Sequence, residues 1–352
     1  MVPGKHFIVD AISRKGKGRC KVQYLDTLIF TDLPAKYLSE VEAQKAQAGK
    51  DAREQFLGQS NKKKVFVYDA KHYGQLLELP LEFIDKIHES KAIIELQEKK
   101  LTVSISNSQL SNPFFEITKS DWSLLISENI TQKKIKVRFR VDAELIENYQ
   151  SQNIIGFIKG KEVPDTFLVF SAHYDHLGMM GNEVYFPGAN DNASGVAMLL
   201  ELARYYAMPG NEPHYSIVFI AFGGEEAGLA GSKYYTQNPL FPLKRIKFLI
   251  NLDLMGTGQE GMTVVNGTIF SKEFEKLRKI NQQRNYLPQI KKRGEAANSD
   301  HFFFTEKGVP SFFFYTLGSP KHYHDIYDRP ETLPLSGFKG VFMLILDFVE
   351  QL

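Results

Sequence analysis

Histidines, carboxylates and one tyrosine follow four apolar segments in the second half of the chain, at the point where each segment ends. They are His173, Asp175 and His176; Glu225 and Glu226; Asp253; and His322, Tyr323 and His324. A further carboxylate, Asp191, lies in a glycine-bounded segment just before a predicted helix. Lysine and arginine are absent from these segments except at their margins. Because a buried carboxylate needs a cation, a metal or several hydrogen-bond donors, the simplest compensation is a metal centre.

The donor types indicate which metal this centre would hold. Imidazole together with carboxylate suits zinc, and a shared carboxylate suits a pair of ions. Two ions about 3.5–4 Å apart can hold and activate a water molecule between them. Since neighbouring residues point in different directions, one of Glu225 and Glu226 could bind metal while the other takes a proton from that water. The pattern therefore predicts metal-assisted hydrolysis.

The composition of the chain excludes several classes of protein. Its 352 residues carry a formal net charge of +2, which gives no support for a nucleic-acid or polyanion partner. The apolar fraction of 43% and the charged fraction of 24% are typical of a globular protein. Cys20 is the only cysteine, so the chain has no internal disulfide and no thiolate zinc site. No apolar run approaches the ~18 residues of a membrane span, and we expect none.

The elements that must position these residues change in character near residue 150. Over residues 151–352, apolar segments of strand length alternate with helical stretches, which favours an α/β domain with a mostly parallel mixed sheet flanked by helices. Ligands bind beyond the carboxyl ends of the strands in such sheets, and the polar residues lie there. The predicted strands span 153–158, 166–172, 216–222, 248–254, 263–265 and 311–315, and the predicted helices span 194–207, 228–236, 272–283, 300–306 and 335–351.

Residues 1–150 show a different pattern. Short β-rich segments at 92–96, 101–105 and 135–141 surround a short predicted helix at 120–126. This region has no concentration of histidines or paired acids. We therefore predict a smaller β-rich domain ahead of the α/β domain.

Six segments, in this order along the chain, resemble the motifs of the M28 family of zinc peptidases, which includes bacterial secreted aminopeptidases. The resemblance covers roughly residues 150–352, and the blocks Gly-Glu-Glu-Ala-Gly-Leu and Asp-Asn-Ala-Ser-Gly make it specific. It implies a zinc-aminopeptidase (phosphorylase/hydrolase-like) fold and a metal-dependent exopeptidase, an aminopeptidase, acting on peptides or proteins. The segments are His173-x-Asp175, 188–195, 224–232, 251–255, 299–301 and Tyr323-His324-x3-Asp328.

The resemblance also implies a role for each metal ligand. His173 and Asp253 would bind one zinc ion. Glu226 and His324 would bind a second ion, and Asp191 would bridge the two. All five ligands are present, which argues against an inactive relative.

Further residues receive roles from the same resemblance. Glu225 would be the general base that accepts a proton from the water and passes it to the leaving amine. Asp175 would accept a hydrogen bond from the outer nitrogen of the first histidine ligand and so fix its tautomer. Tyr323 would steady the oxyanion. Position alone, and not the resemblance, assigns supporting or packing roles to His176 and His322, because each neighbours a better candidate.

In their position in the chain and in the spacing of their predicted strands, residues 91–141 resemble the protease-associated module often inserted in this family. Such modules usually cover part of the active-site cleft and limit which substrates enter. The family resemblance favours a secreted or periplasmic location if a signal peptide has been removed, and a cytoplasmic location otherwise, because the first residues lack the apolar stretch of a signal peptide.

Two alternative functions remain open. Glutaminyl cyclases resemble the same fold and share many ligands but work with a single zinc ion, whereas segments 188–195 and 228–232 look like those of the peptidases. A receptor-like relative without catalysis would typically lose ligands that this sequence keeps. The residues do not separate aminopeptidase from carboxypeptidase activity, nor do they give the oligomeric state.

Overall fold

The computed structural model describes residues 8–9, 16–24, 54, 57–58, 60–98, 110, 112–127, 136–141, 144–146, 148–180 and 184–352. The chain divides into two units. The first comprises Met1–Glu147 with Met180–Glu183, and the second comprises Asn148–Met179 with Val184–Leu352. The predicted strand at 101–105 lies outside the described residues.

The described part of the first unit contains a mixed sheet, α-helices and the short 3₁₀ helix Ala70–His72. Its strands are β1 (Ile8–Val9), β2 (Gly16–Tyr24), β3 (Lys64–Asp69), β4 (Ala92–Gln97), β5 (Phe114–Thr118) and β6 (Lys136–Val141), and its helices are α1 (Tyr73–Leu77), α2 (Leu81–His88) and α3 (Lys119–Ser127). The strand order is β1-β5-β4-β3-β2-β6. Because side chains alternate along a strand, Val65 and Val67 pack into one apolar cluster, while Phe66 and Tyr68 pack into another with Phe83 of α2.

The described part of the second unit contains a larger sheet, a two-stranded sheet and five α-helices. Its strands are β7 (Ile154–Ile158), β8 (Val163–His173), β9 (Met179–Met180), β10 (Val184–Tyr185), β11 (Tyr215–Phe222), β12 (Ile246–Leu252), β13 (Gly261–Val265), β14 (Ile290–Lys292) and β15 (Ser311–Leu317). Its helices are α4 (Gly195–Tyr206), α5 (Ala230–Gln237), α6 (Ser271–Arg284), α7 (His301–Glu306) and α8 (Phe338–Val349).

The larger sheet has the order β14-β13-β15-β12-β8-β11-β7. Its central strands β15, β12, β8 and β11 are parallel, and β7 and β13 pair antiparallel with their neighbours β11 and β15. The register sets Phe222 of β11 beside His173 of β8, so these strands end together. The predicted α/β fold with a mostly parallel mixed sheet is confirmed, and its carboxyl edge brings the polar residues together.

Helices cover both faces of this sheet. Leu168 and Phe170 of β8 pack in one apolar cluster with residues of α4, α6 and α8. Val169 faces the opposite side, in a cluster with Tyr235 of α5 and Phe304 of α7. Full burial of each such side chain contributes about 1.5–3 kcal/mol. This two-sided burial explains why the strands read as continuous apolar runs.

The structure shifts some predicted boundaries for local reasons. Helix α5 begins at Ala230 rather than at residue 228, because Gly228 and Leu229 have φ values of 90° and 59°. Strand β12 ends at Leu252 rather than 254, and Leu254 has a φ of 54°. Strand β14 was not predicted, since three residues with two lysines give no apolar pattern. Among the described residues, no helix is both long and apolar enough to cross a membrane.

Candidate metal centre

The five predicted metal ligands lie around the carboxyl edge of the larger sheet. They occupy the last position of β8 (His173), a turn before α4 (Asp191), the loop after β11 (Glu226), the first position after β12 (Asp253) and the loop after β15 (His324). The structure brings all five side chains together, although 151 positions of sequence separate the first from the last.

Asp191 lies between the two histidines. Its Oδ1 is 3.3 Å from Nε2 of His173, and its Oδ2 is 3.2 Å from Nε2 of His324. Asp253 Oδ2 lies 3.5 Å from Nε2 of His173, and Glu226 Oε2 lies 3.1 Å from Nε2 of His324. Each histidine therefore faces one oxygen of Asp191 and one carboxylate of its own.

Buried oxygens in this cluster fit a bound cation. Asp191 and Asp253 are 2% and 6% exposed, and Oδ1 of Asp253 has no hydrogen-bond partner among the described residues. Such oxygens are costly unless a cation compensates them. Two groups of donor atoms, each lying within 4.8 Å of one another, could hold an ion: His173, Glu225 and Asp253; and His176, Asp191 and Glu226. Imidazole and carboxylate donors in these groups suit zinc.

Protons compensate the carboxylates in the metal-free protein. Burial lowers the pKa of His324, but hydrogen bonds to Asp191 and Glu226 outweigh it and raise this pKa to about 9. Burial also opposes charge on His173, yet Asp253 and Asp191 raise its pKa well above the usual value. A metal ion must displace such protons, because a histidine binds metal in its neutral form.

Zinc affinity is therefore expected to rise with pH up to about pH 9. Below the His324 pKa of about 9, zinc binding releases that proton, so the dissociation constant should fall about tenfold per pH unit for each proton released. Competition with a chromophoric chelator at several pH values measures this slope. His214→Asn, at a half-exposed histidine paired with Glu162 at 3.2 Å, should leave the slope unchanged. A pH-independent affinity would contradict the expectation.

Glu225 lies half-buried beside the ligands. Burial raises its pKa to about 9; His173 opposes this shift, while Asp300 and Asp253 add to it. The backbone before it requires glycine, because Gly224 has a φ of 79° and a Cβ at Gly223 would lie 2.6 Å from Oγ of Ser151. This tight turn delivers the Glu225 carboxylate to the centre.

Asp175 holds this turn rather than the histidine ring, which corrects the predicted hydrogen bond. Its Oδ1 and Oδ2 accept from the backbone N–H groups of Glu225 and Glu226, at 3.1 Å each. Its carboxylate lies 3.8 Å from Nδ1 of His173, whereas its own backbone oxygen lies 3.1 Å from that nitrogen. Because main-chain N–H groups occupy the carboxylate of Asp175, the backbone carbonyl of Asp175 accepts the hydrogen bond from Nδ1 of His173 and fixes the ring.

A chain of hydrogen bonds positions Asp253. Ser171 Oγ donates to Oδ1 of Asn251 at 2.7 Å, and Nδ2 of Asn251 donates to Oγ of Ser299 at 2.8 Å. Ser299 Oγ in turn donates to Oδ2 of Asp253 at 3.2 Å. All four side chains are buried. Ser299 lies in the motif at 299–301, and its hydroxyl links Asn251 to Asp253.

Asp328, a motif residue without a predicted role, holds the backbone of the Asp191 turn. Its Oδ1 accepts from the backbone N–H of Asn190 at 2.8 Å, and its Oδ2 accepts from that of Asp191 at 3.0 Å. The side chain is 1% exposed. Sequence reasoning missed this contact because a carboxylate that binds main-chain amides leaves no trace in the residues it binds.

We expect Asp328→Asn to weaken zinc binding and to destabilise the fold. An asparagine offers one acceptor oxygen, and its NH₂ group would face a main-chain N–H. A buried donor left unsatisfied costs about 1–3 kcal/mol, and a lost outer contact typically costs about 10–100-fold in metal affinity. Urea unfolding and chelator competition measure the two effects. The same change at Asp165, which is 90% exposed, should alter neither, and a variant matching the wild type in both would contradict the assignment.

Tyr323 lies at the outer edge of the centre and is 55% exposed. Its ring stacks on His324, with ring centroids 3.9 Å apart and an interplanar angle of 15°. Partial burial of the phenol and the nearby carboxylates Asp191 and Glu226 raise its pKa, so its hydroxyl keeps its proton at neutral pH. The ring of His322 packs near that of Tyr327, with 6.0 Å between ring centroids.

The fold and this cluster define an α/β protein with a buried histidine–carboxylate centre at the carboxyl edge of its sheet. Residues 153–349 match the family model described as Peptidase family M28. The match covers more than half of the chain, and the chain belongs to this family.

Named relatives agree with the family assignment. The chain is 30% identical over 241 residues to aminopeptidase YwaD of Bacillus subtilis (strain 168). This alignment covers 63% of this chain and 47% of that protein. It is 41% identical over 113 residues to a probable zinc metalloprotease of Pyricularia oryzae, covering 31% of this chain and 22% of that protein. The chain thus spans less than half the length of these curated relatives.

Solved structures share the fold at low sequence identity. The zinc aminopeptidase BSAP from Bacillus subtilis has a TM-score of 0.65 at 23% identity, covering 98% of this chain and 78% of that chain. Porphyromonas gingivalis glutaminyl cyclase has a TM-score of 0.50 at 20% identity, covering 56% of this chain and 77% of that chain. The likeness to BSAP thus extends over nearly the whole chain, and that to the cyclase over about half.

Proposed function

We propose that this chain is a zinc-dependent aminopeptidase that binds two ions. Membership of family M28 and the likeness to aminopeptidase YwaD support the activity. The observation that carries the proposal of two ions is the position of Asp191, whose two oxygens face two different histidines, His173 and His324, at 3.3 and 3.2 Å. A carboxylate that faces one histidine with each oxygen is placed to be shared between two ions.

The proposed ligands divide into two sets around this shared carboxylate. His173 and Asp253 would hold one ion, and Glu226 and His324 would hold the other. Zinc bound there would supply Lewis-acid chemistry towards the carbonyl of the scissile bond. The hydrogen bonds of Asp175, Ser299 and Asp328 hold the ligand-bearing segments in place.

Glu225 is the proposed general base. Its carboxyl group lies within 4.8 Å of the donor atoms of His173 and Asp253, within reach of a water that approaches them. Cations near a carboxyl group favour its ionised form, so a loaded centre would bring the pKa of Glu225 down from about 9. Glu225 can then accept the proton of the attacking water and deliver it to the leaving amine.

Tyr323 is the proposed donor to the oxyanion that develops on the scissile carbonyl. Its raised pKa keeps the hydroxyl protonated, and its exposure leaves the phenol accessible to a substrate. The stack on His324 fixes the ring beside the proposed ligands. An oriented hydroxyl of this kind stabilises the transition state more than the ground state.

A metal analysis paired with a substrate panel tests the proposed function. We expect about two zinc ions per chain and hydrolysis of aminoacyl p-nitroanilides that carry a free α-amine. N-acetylated substrates should be inert, and C-terminal cleavage of N-blocked peptides would indicate a carboxypeptidase instead. One zinc per chain, together with cyclisation of glutaminyl peptides, would assign the chain to the glutaminyl cyclases, whose fold it shares in part. A zinc-free protein without hydrolysis would contradict an enzymatic role.

A further inference from the structure

His176, three residues beyond His173, lies against the proposed centre. Its Nδ1 is 2.8 Å from Oε1 of Glu226, and the two side chains are 10% and 6% exposed. The other oxygen of Glu226, Oε2, lies 3.1 Å from Nε2 of His324. The two oxygens of this carboxylate therefore face two different histidines.

The direction of the short contact follows from the charge of Glu226. Glu226 is a proposed zinc ligand, and a glutamate binds metal as the deprotonated carboxylate. An ionised carboxylate only accepts hydrogen bonds. Nδ1 of His176 must therefore carry the proton and donate to Oε1 of Glu226.

The His176 ring is held from several sides. Gly188 has a φ of 64°, and a Cβ built there would lie 2.6 Å from Cδ2 and Cγ of the His176 ring. The ring meets His324 edge-on, with 5.8 Å between centroids and an interplanar angle of 66°. Nε2 of His176 is buried and has no hydrogen-bond partner among the described residues. The packing leaves the ring little freedom to turn Nδ1 away from Glu226.

We propose that His176 is a positioning residue that holds Oε1 of Glu226 through Nδ1–H, so that Oε2 stays turned towards His324 and Asp191. The inference rests on the proposed function in that it takes Glu226 to be a zinc ligand. It goes beyond that function by assigning a hydrogen bond that orders the ligand before an ion arrives. Because the hydrogen bond belongs to the metal-free protein, it can be tested without turnover.

The first test measures where the proton lies on His176 in the metal-free protein. Selective ¹⁵N labelling of histidine gives few signals, because the chain has nine histidines, and the signal lost in His176→Phe assigns the residue. We expect a protonated Nδ1 in the wild type. An unprotonated Nδ1 would overturn the inference whether or not the protein proves to be a peptidase, whereas missing hydrolysis in the wild type would count against the proposed function alone.

The second test compares variants of His176 that replace one ring nitrogen, the other ring nitrogen or neither. Asparagine places an N–H near the position of Nδ1, glutamine reaches the position of Nε2, and phenylalanine keeps only the ring shape. We expect His176→Phe and His176→Gln to weaken zinc binding about 10–100-fold, as outer contacts to ligands typically do, and His176→Asn to bind zinc within about threefold of the wild type. His214→Phe, at the half-exposed histidine paired with Glu162, is the matched control and should not change the affinity.

The visible spectrum of the cobalt-substituted protein separates positioning from direct ligation. A positioning role predicts that saturating cobalt restores the wild-type spectrum in His176→Phe, since the ligands are unchanged. Direct ligation is the alternative to exclude, because the donor atoms of His176, Asp191 and Glu226 are close enough to share an ion. If His176 were a ligand through Nε2, the spectrum at saturation would be altered, and glutamine rather than asparagine would restore zinc binding. That second outcome, or a phenylalanine variant with wild-type zinc affinity, would overturn the inference.

Discussion

Glu225→Gln is expected to keep its zinc and to lose about 10²–10⁴-fold in kcat, which is the contribution typical of a well-placed general base. Glutamine has the same shape as glutamate but cannot accept a proton from water. Since Glu225 is not one of the proposed ligands, zinc content should stay at the wild-type value. Steady-state kinetics on an aminoacyl p-nitroanilide, together with metal analysis of the same sample, measure both quantities.

The matched control for this substitution is Glu201→Gln. Glu201 pairs with Arg204 on the exposed side of α4, so its replacement should leave kcat unchanged. Near-normal turnover in a zinc-loaded Glu225→Gln protein would disprove the role of general base. Loss of zinc together with loss of activity would instead indicate that Glu225 is a metal ligand. The experiment must test this alternative, because Glu225 lies close to the donor atoms of His173 and Asp253.

Asp191→Asn is expected to abolish both activity and tight zinc binding. Asparagine has a single acceptor oxygen, so it can face His173 or His324 but cannot serve an ion at each. The loss should exceed the ~10–100-fold typical of a residue that only contacts a ligand. Chelator competition measures the affinity directly.

Thermal unfolding with and without zinc gives a second measure of the Asp191 effect. A ligand at 100 times its dissociation constant stabilises a protein by about 2.7 kcal/mol, and a variant with 100-fold weaker affinity would gain less than about 0.5 kcal/mol at the same concentration. Asp165→Asn, the same change at an exposed site, should retain the full gain. An Asp191→Asn protein that keeps two tightly bound zinc ions would contradict the shared role.

The fold was predictable where strands are buried on both faces of the sheet, because such strands leave continuous apolar segments in the sequence. Residues 167–170 of β8 are apolar without alternation because the two faces of the strand pack against different helices, and this pattern predicted the parallel sheet. Strand β14 was missed because an exposed three-residue edge strand carries no such pattern. Helix α5 was predicted to begin two residues early, since the positive φ of Leu229 is set by the turn and not by its own type.

The positions of the candidate site residues were also predictable, because parallel strands end at one edge. The residues predicted as ligands do lie together there. Their hydrogen-bond partners were not predictable in the same way. Asp175 was expected to bind His173 and instead binds the backbone of Glu225 and Glu226.

The sequence by itself therefore determined the donor types, their order along the chain and the edge of the sheet at which they meet. Only the tertiary structure decided which atoms face each other: the two oxygens of Asp191 towards two histidines, and Nδ1 of His176 towards Glu226. The physical reason is that a donor's chemistry belongs to its residue type, whereas its partner depends on rotamers and backbone angles. Contacts between distant segments set those angles, as when Asp328 binds the amide of Asn190 from 138 residues away.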